Sequence, residues 1–317
     1  MSSDKEFVQV DVGFQDEVMF RDIVALLWKK KITLIVGVAI ASLASVVLAL
    51  SLPNKYKSSA LLAPKANSGS GGLSGLASQY GGVARLAGIN LGGIQANDPS
   101  AIAVEMLKSR EFFRKYIYEF ALVDLMAAEG WDRFTRETVL DEQKYNTEKQ
   151  IWIRDTRNPS ENVKPSVQES YDIFRRECLE VREDEESGFV TVSITHYSPT
   201  VARDWVALIV EGINDAVRER EVTEAKNSIA FLNDQRLNNK LVSLNDVFSD
   251  LIEEQTKTVM LANASKEYVF QVIEPPVEPE LKSEPKRALI CVLGALIGLV
   301  LSVLVVLFPQ KIARDNN

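Results

Sequence analysis

The residues of this chain whose types could do chemistry are few: one histidine, His196; two cysteines, Cys178 and Cys291; and an acidic run, Glu183-Asp184-Glu185-Glu186. A histidine beside a serine and an acid would point to nucleophilic catalysis, a histidine among cysteines or carboxylates to a metal, and a close pair of carboxylates to hydrolysis of a glycosidic bond. None of these constellations forms in the sequence. His196 stands between a strand pattern and a helix cap, with no acid or cysteine at ligand spacing, and no G-x-S-x-G elbow occurs anywhere. The acidic run is followed by Ser187-Gly188, which places it at a hairpin tip in solvent. Nine of the 16 glycines fall between Gly69 and Gly93, yet the segment lacks G-x-x-x-x-G-K-[ST] and holds Arg85 as its sole cation. A packing loop rich in Leu and Ile therefore suits it better than a phosphate cradle. No catalytic, cofactor-binding or metal-binding residue is assigned, and no cofactor is expected.

What must position any function is set by two uncharged apolar runs, 32–52 and 288–308. As helix at about 1.5 Å per residue, each spans the roughly 30 Å hydrocarbon core of a bilayer. The first is longer than a signal-peptide core, and Leu52-Pro53-Asn54-Lys55 follows it in place of a small-residue cleavage site, so an uncleaved anchor is expected. Two spans put both tails in one compartment and residues 53–287 in the other. The entire net charge of −8 resides in that body, which argues against a nucleic-acid partner. Basic residues flank the spans equally on both sides, Arg21, Lys29, Lys30, Lys31, Lys311 and Arg314 against Lys55, Lys57, Lys65, Lys282, Lys286 and Arg287. Long bodies cross largely regardless of charge, so the tails are expected inside. Phe20, Ile23, Val24, Leu27 and Trp28 recur at helical spacing within tail 1–31, which suits an interfacial helix feeding the first span or a plain continuation of it.

The body is expected to be α+β. Its base domain, 53–198, opens on a strand over 56–64 and continues through a helix capped by Asp98 ahead of Pro99. A helical stripe through Phe112, Phe113, Tyr116, Ile117 and Phe120 follows. Short strands are expected near 138–140 and 151–154, a helix over 166–177, and a hairpin of 179–182 with 189–195. From Ser198 and Pro199 a helical pattern runs on for most of 199–264 with apolar residues at threes and fours, Leu208, Ile213, Ile229 and Leu232 among them. So long a seam buries against other helices, and the pattern weakens at Asn238-Asn239, where the chain should reverse. Segment 265–287 reads as a return strand, 268–273, and a stiff extended lead carrying Pro275, Pro276, Pro279 and Pro285. The spans add Gly37, Ala41 and Ser45 in the first and Gly294, Gly298 and Ser302 in the second, small residues four apart that let helices approach closely in lipid.

The order of basic flank, first span, strand 56–64, Gly-rich loop, Asp98-Pro99, long helix, Val272-Ile273-Glu274-Pro275-Pro276, and Pro285-Lys286-Arg287 opening a Gly-containing last span resembles the Wzz-type chain-length determinants. These are polysaccharide co-polymerases. Tail 309–317 carries no nucleotide-binding domain, so the kinase-bearing branch is not expected. The resemblance implies a bacterial inner-membrane protein with cytoplasmic tails, a periplasmic α/β base and a protruding helical arm. It further implies a homo-oligomer above four subunits that works with a Wzy-type polymerase, and with lipid-linked glycan as a candidate partner, to set the modal length of lipopolysaccharide O-antigen without catalysing a step. The alternatives are a regulator of another surface glycan, such as exopolysaccharide or capsule, and a two-span sensor with an extracytoplasmic ligand-binding domain.

Overall fold

A computed structural model describes residues 28–65, 99–155, 163–238 and 242–315. The chain forms two compact units, residues 54–283 and the two terminal segments 1–53 with 284–317. The interfacial helix expected over 16–31, as far as residue 27, the Gly-rich loop and the Asp98 cap lie outside the described residues.

In the terminal unit, α1 (Lys31–Ser51) is an uncharged helix after its first residue, and it pairs with a second helix whose residues Arg287–Val305 are apolar enough to cross a membrane. Nearly all its large apolar side chains face outward, as in Leu43 and Ile297. That is the arrangement for a helix whose solvent is lipid.

The other unit is built on a four-stranded antiparallel sheet, the α+β architecture expected. Its order is β6 (Leu179–Glu183), β7 (Val190–His196), β1 (Tyr56–Pro64) and β8 (Phe270–Glu274). Alternation chooses the buried face: Ser58, Ala60 and Leu62 of β1 stand opposite Ile194, Val192 and Val190 of β7, and all six are buried. Against that face lies α6 (Pro199–Asn238), a single helix of 40 residues and about 60 Å. It turns Val206, Ile209, Val210, Ile213 and Val217 into the core. Ser198 Oγ accepts from Val201 N at 3.4 Å and caps the helix where the sequence places its start. The reversal follows Asn238, and α7 (Val242–Ala264) returns alongside α6.

Helices α2 (Pro99–Leu107), α3 (Arg110–Phe112), α4 (Tyr118–Ala127) and α5 (Val167–Ile173) complete the core. Two π-turns, Phe113–Ile117 and Phe174–Cys178, interrupt them, and each starts on a phenylalanine. The rings of Phe113 and Phe174 meet at 5.0 Å in the centre of the base, and Trp205 of α6 sits 6.1 Å beyond Phe174. Beside this core stand two small hairpins, β2 (Ala128–Asp132) with β3 (Glu137–Leu140), and β4 (Tyr145–Asn146) with β5 (Ile151–Trp152). The last helix, α8 (Arg287–Asp315), is the second apolar one.

Candidate functional site

The residues first considered for catalysis are held by structural bonds. His196 ends β7 with only 3% of its surface exposed, and both ring nitrogens are engaged. Nδ1 accepts from Ser198 N at 3.1 Å, which leaves Nε2 to donate to the Asp124 carbonyl at 3.0 Å. The imidazole is thus a neutral bracket between sheet, α4 and the start of α6, with the Trp205 ring tilted against it 5.0 Å away. Burial pushes its pKa below 6.5, against the pull of Asp124. Folding therefore excludes a proton that the unfolded chain binds. Stability is complete above about pH 6.5 and falls as pH drops through the lowered folded value. Between about pH 7 and 5 the melting temperature of the detergent-solubilised protein should fall more steeply for wild type than for His196→Gln; parallel profiles would contradict this role.

At the acidic turn, Asp184 Oδ1 accepts from Glu186 N at 3.0 Å and Ser187 N at 2.9 Å, bonds that lower its carboxyl pKa. Gly188, at φ +69°, closes the turn. This is a self-contained exposed hairpin tip. Burial pushes the Cys178 thiol up to about 12, so it is held as an inert thiol. Among the described residues no group of three or more His, Cys, Asp or Glu could hold a metal ion.

The strongest polar cluster in the base escaped sequence reasoning. Asn214 is buried on α6, and its Oδ1 accepts from three successive backbone amides, Tyr268 N at 2.9 Å, Val269 N at 2.9 Å and Phe270 N at 3.0 Å. Its Nδ2 donates to Val210 O at 3.1 Å. The amides that lead into β8 are thereby satisfied by one side chain, and the return strand is clamped to the long helix. The available signal was a polar residue flanked by Ile213 and Val217 on an otherwise apolar stripe.

The arm residues divide. Ile213 is fully buried and Leu208 partly buried, both in the base core, whereas Ile229 and Leu232 lie partly covered farther along α6. A boundary at residue 199 thus differs from the structure, because the first five turns of α6 belong to the base. Beyond Val217, Ala225 is the one buried residue of α6, and Ala262 is the one buried among the described side chains of α7. Between the two helices runs a groove of about 860 Å³ lined by Lys115, Arg220, Glu224, Asn227, Phe231 and Gln255.

The proline-rich lead is tied along its length. Ser58 Oγ donates to Val277 O at 2.8 Å, Glu278 pairs with Arg136 at 2.7 Å and Arg203 at 3.7 Å, and Ser283 N donates to Lys55 O at 2.9 Å. Pro275, Pro276 and Pro279 sit in this strap; Pro285 follows in the terminal unit.

In that unit the small residues of the two spans meet each other. A Cβ on Gly37 would collide with Ser302 Oγ, one on Gly298 with Ala41 Cβ, and one on Gly294 with Ser45 Cβ. Ser45 and Ser302 are buried at these crossings, and each hydroxyl donates within its own helix, Ser45 to Ser42 O and Ser302 to Gly298 O. The two small faces are thus consumed inside one chain.

Comparison with known proteins finds a family match over part of the chain. The family model described as Wzz, chain length determinant protein, matches residues 16–120. The resemblance drawn from the sequence is borne out over that third of the chain. No curated protein sequence matches. Among solved structures, a "full-length bacterial polysaccharide co-polymerase" is similar at 13% identity and TM-score 0.42, over 93% of this chain and 98% of that one. A fragment of WzzB, a polysaccharide co-polymerase from Salmonella Typhimurium, is similar at 14% identity and TM-score 0.30, over 73% of this chain and 100% of that one.

Proposed function

We propose that the protein is a non-catalytic regulator of polysaccharide chain length, setting the modal length of lipopolysaccharide O-antigen as a homo-oligomeric scaffold for a Wzy-type polymerase. It sits in a bacterial inner membrane by two spans, with cytoplasmic tails and residues 53–287 in the periplasm. The observation that carries this reading is the α6–α7 pair. It projects past the base core while presenting Phe231 at 63%, Leu237 at 83% and Val247 at 50% exposure. Large apolar side chains along an otherwise polar rod suit contact with neighbouring copies. The groove along the pair offers an exposed ring, an amide pair and charged groups, the chemistry that contacts a growing glycan. His196, Asp184 and Cys178 are all committed to structure, which supports a role in organisation over bond-making.

Three measurements test it. The detergent-solubilised protein should have the mass of more than four subunits, and a monomer or dimer would sink the scaffold. A reporter active only in the periplasm should be active near Asn238 and silent after Asn317; the reverse would overturn the topology. Deleting the gene should leave polymer being made with its preferred length lost. Loss of all polymer would mean a missed catalytic step.

A further inference from the structure

The β2–β3 hairpin ends in a turn, Asp132-Arg133-Phe134-Thr135-Arg136, that is built to hold a phenylalanine away from the protein. Phe134 is 98% exposed, the most exposed of the large apolar side chains among the described residues. The turn that carries it is closed by its own bonds: Asp132 Oδ1 accepts from Phe134 N at 2.7 Å, and Asp132 O accepts from Arg136 N at 2.9 Å. Arg136 takes a left-handed φ of +58°, and its guanidinium pairs with Glu278 of the proline-rich lead. Beneath the turn Trp131 stacks edge-on against Tyr56, ring centroids 5.4 Å apart. An ordered turn that exposes its one apolar residue is shaped for an apolar partner.

That partner must lie near the two ends of this unit. Tyr56 is five residues past Ser51, the last residue of α1, so at about 3.3–3.6 Å per residue it lies within roughly 18 Å of the end of that span. Ser283, bonded to Lys55 through its amide and its hydroxyl, is four residues before Arg287, the first residue of α8. The hairpin is attached at both places, through Trp131 on Tyr56 and Arg136 on Glu278. Exposed on the same lead are Val277 at 63% and Leu281 at 84%, next to Lys282. Arg133 forms no ion pair among the described residues. Nearby Asp132, Glu137, Glu280 and Glu284 keep the patch from being basic overall, so net charge is not its attraction.

Resting on the two-span reading, we infer that the hairpin tip and the lead dock into the interfacial layer of the bilayer that holds the spans. Phe134 and Leu281 enter the acyl boundary, and Arg133 and Lys282 reach lipid phosphates, as aromatic and long basic side chains do at that depth. Because apolar contact drives it, docking persists in zwitterionic lipid and at high salt.

The full chain, with Cys178→Ser and Cys291→Ala, carries a fluorescent probe at one added cysteine, Phe134→Cys, Leu281→Cys, Phe231→Cys or Leu43→Cys. Each is reconstituted in phosphatidylcholine with a nitroxide on the headgroup or at the end of the acyl chain. Headgroup nitroxide should quench the probes at 134 and 281 at least twofold more than the probe at 231. Acyl-chain nitroxide should quench the probe at 43, which lies in the first span. Quenching at 43 with 134 no more affected than 231 overturns the docking. A probe at 134 that is shielded from water but unquenched, or that cross-links to a second copy in detergent, overturns it in favour of a protein contact. Absence of quenching at 43 overturns the membrane reading itself.

Discussion

Replacing Asn214 by leucine is expected to destabilise the base strongly. The substitution keeps the volume and removes the oxygen that accepts from the amides of Tyr268, Val269 and Phe270, all three residues being buried. A buried donor left without a partner costs about 1–3 kcal/mol, so a loss of roughly 3 kcal/mol or more is expected from three that share one acceptor. Against a typical total of about 5–15 kcal/mol, that removes a large share of the stability. Asn214→Asp is the informative contrast. Its carboxylate keeps the acceptor, and three amides converging on it favour the charged form. What it loses is the bond to Val210 O, which its second oxygen now faces acceptor to acceptor at a buried site, a cost of about 1–3 kcal/mol. Urea unfolding followed by near-ultraviolet circular dichroism should rank wild type, then aspartate, then leucine lowest. Equal losses in the two variants, or a neutral leucine, would show that the clamp does not hold β8.

Gly298→Leu is expected to part the two spans while leaving the protein inserted. Its Cβ would fall on Ala41 Cβ, with the Val38 Cα 3.5 Å away, so the helices must separate by about a side-chain thickness. Overpacking costs about 1–3 kcal/mol, and in lipid no hydrophobic gain drives the helices back together. The added leucine makes the segment more apolar, so insertion stands. A cysteine pair reads the separation directly. A Cβ on Gly37 would stand 3.1 Å from Ser302 Cβ, a few tenths of an ångström inside the roughly 3.5–4.5 Å a disulfide spans, so with a slight outward shift Gly37→Cys with Ser302→Cys should cross-link in a chain lacking Cys291. Adding Gly298→Leu should cut the yield about tenfold, the factor that roughly 1.4 kcal/mol makes. Glycan length distribution should shift in the same variant. An undiminished cross-link would remove this crossing as the contact between spans.

Local signals make much of this legible in the sequence. Charge-free runs expose the spans, alternation places β1, and Ser198-Pro199 and Asn238-Asn239 bracket α6 because caps and breakers act within a turn of where they sit. Features set by distant partners stayed hidden. Ala128-Glu129-Gly130-Trp131-Asp132 has little strand propensity and a register shift between Ala128 and Gly130, so β2 is made by pairing with β3 and not by its own composition. The π-turns at Phe113 and Phe174 place two rings against each other, a demand of the core that leaves no spacing rule in either segment. The small faces of the spans were visible, but a face does not state its partner; here each faces the other. The periodicity of α6 likewise continues unchanged past Val217 while the core beneath it ends, so the sequence pattern carries no mark where base gives way to arm.

That unbroken passage of α6 from core to arm makes it a lever. Its inner end is gripped by the sheet and by the Asn214 clamp, and its outer end runs on from Val217 to Asn238, roughly 30 Å of helix at about 1.5 Å per residue. A helix is stiff along its axis, with no glycine or proline between those residues to act as a joint. A sideways push at the tip therefore arrives at the base as torque, largest where the buried turns grip β1 and β7. Close-packed cores yield little to such a load, so a small force far out on the rod is felt as concentrated strain at the foot.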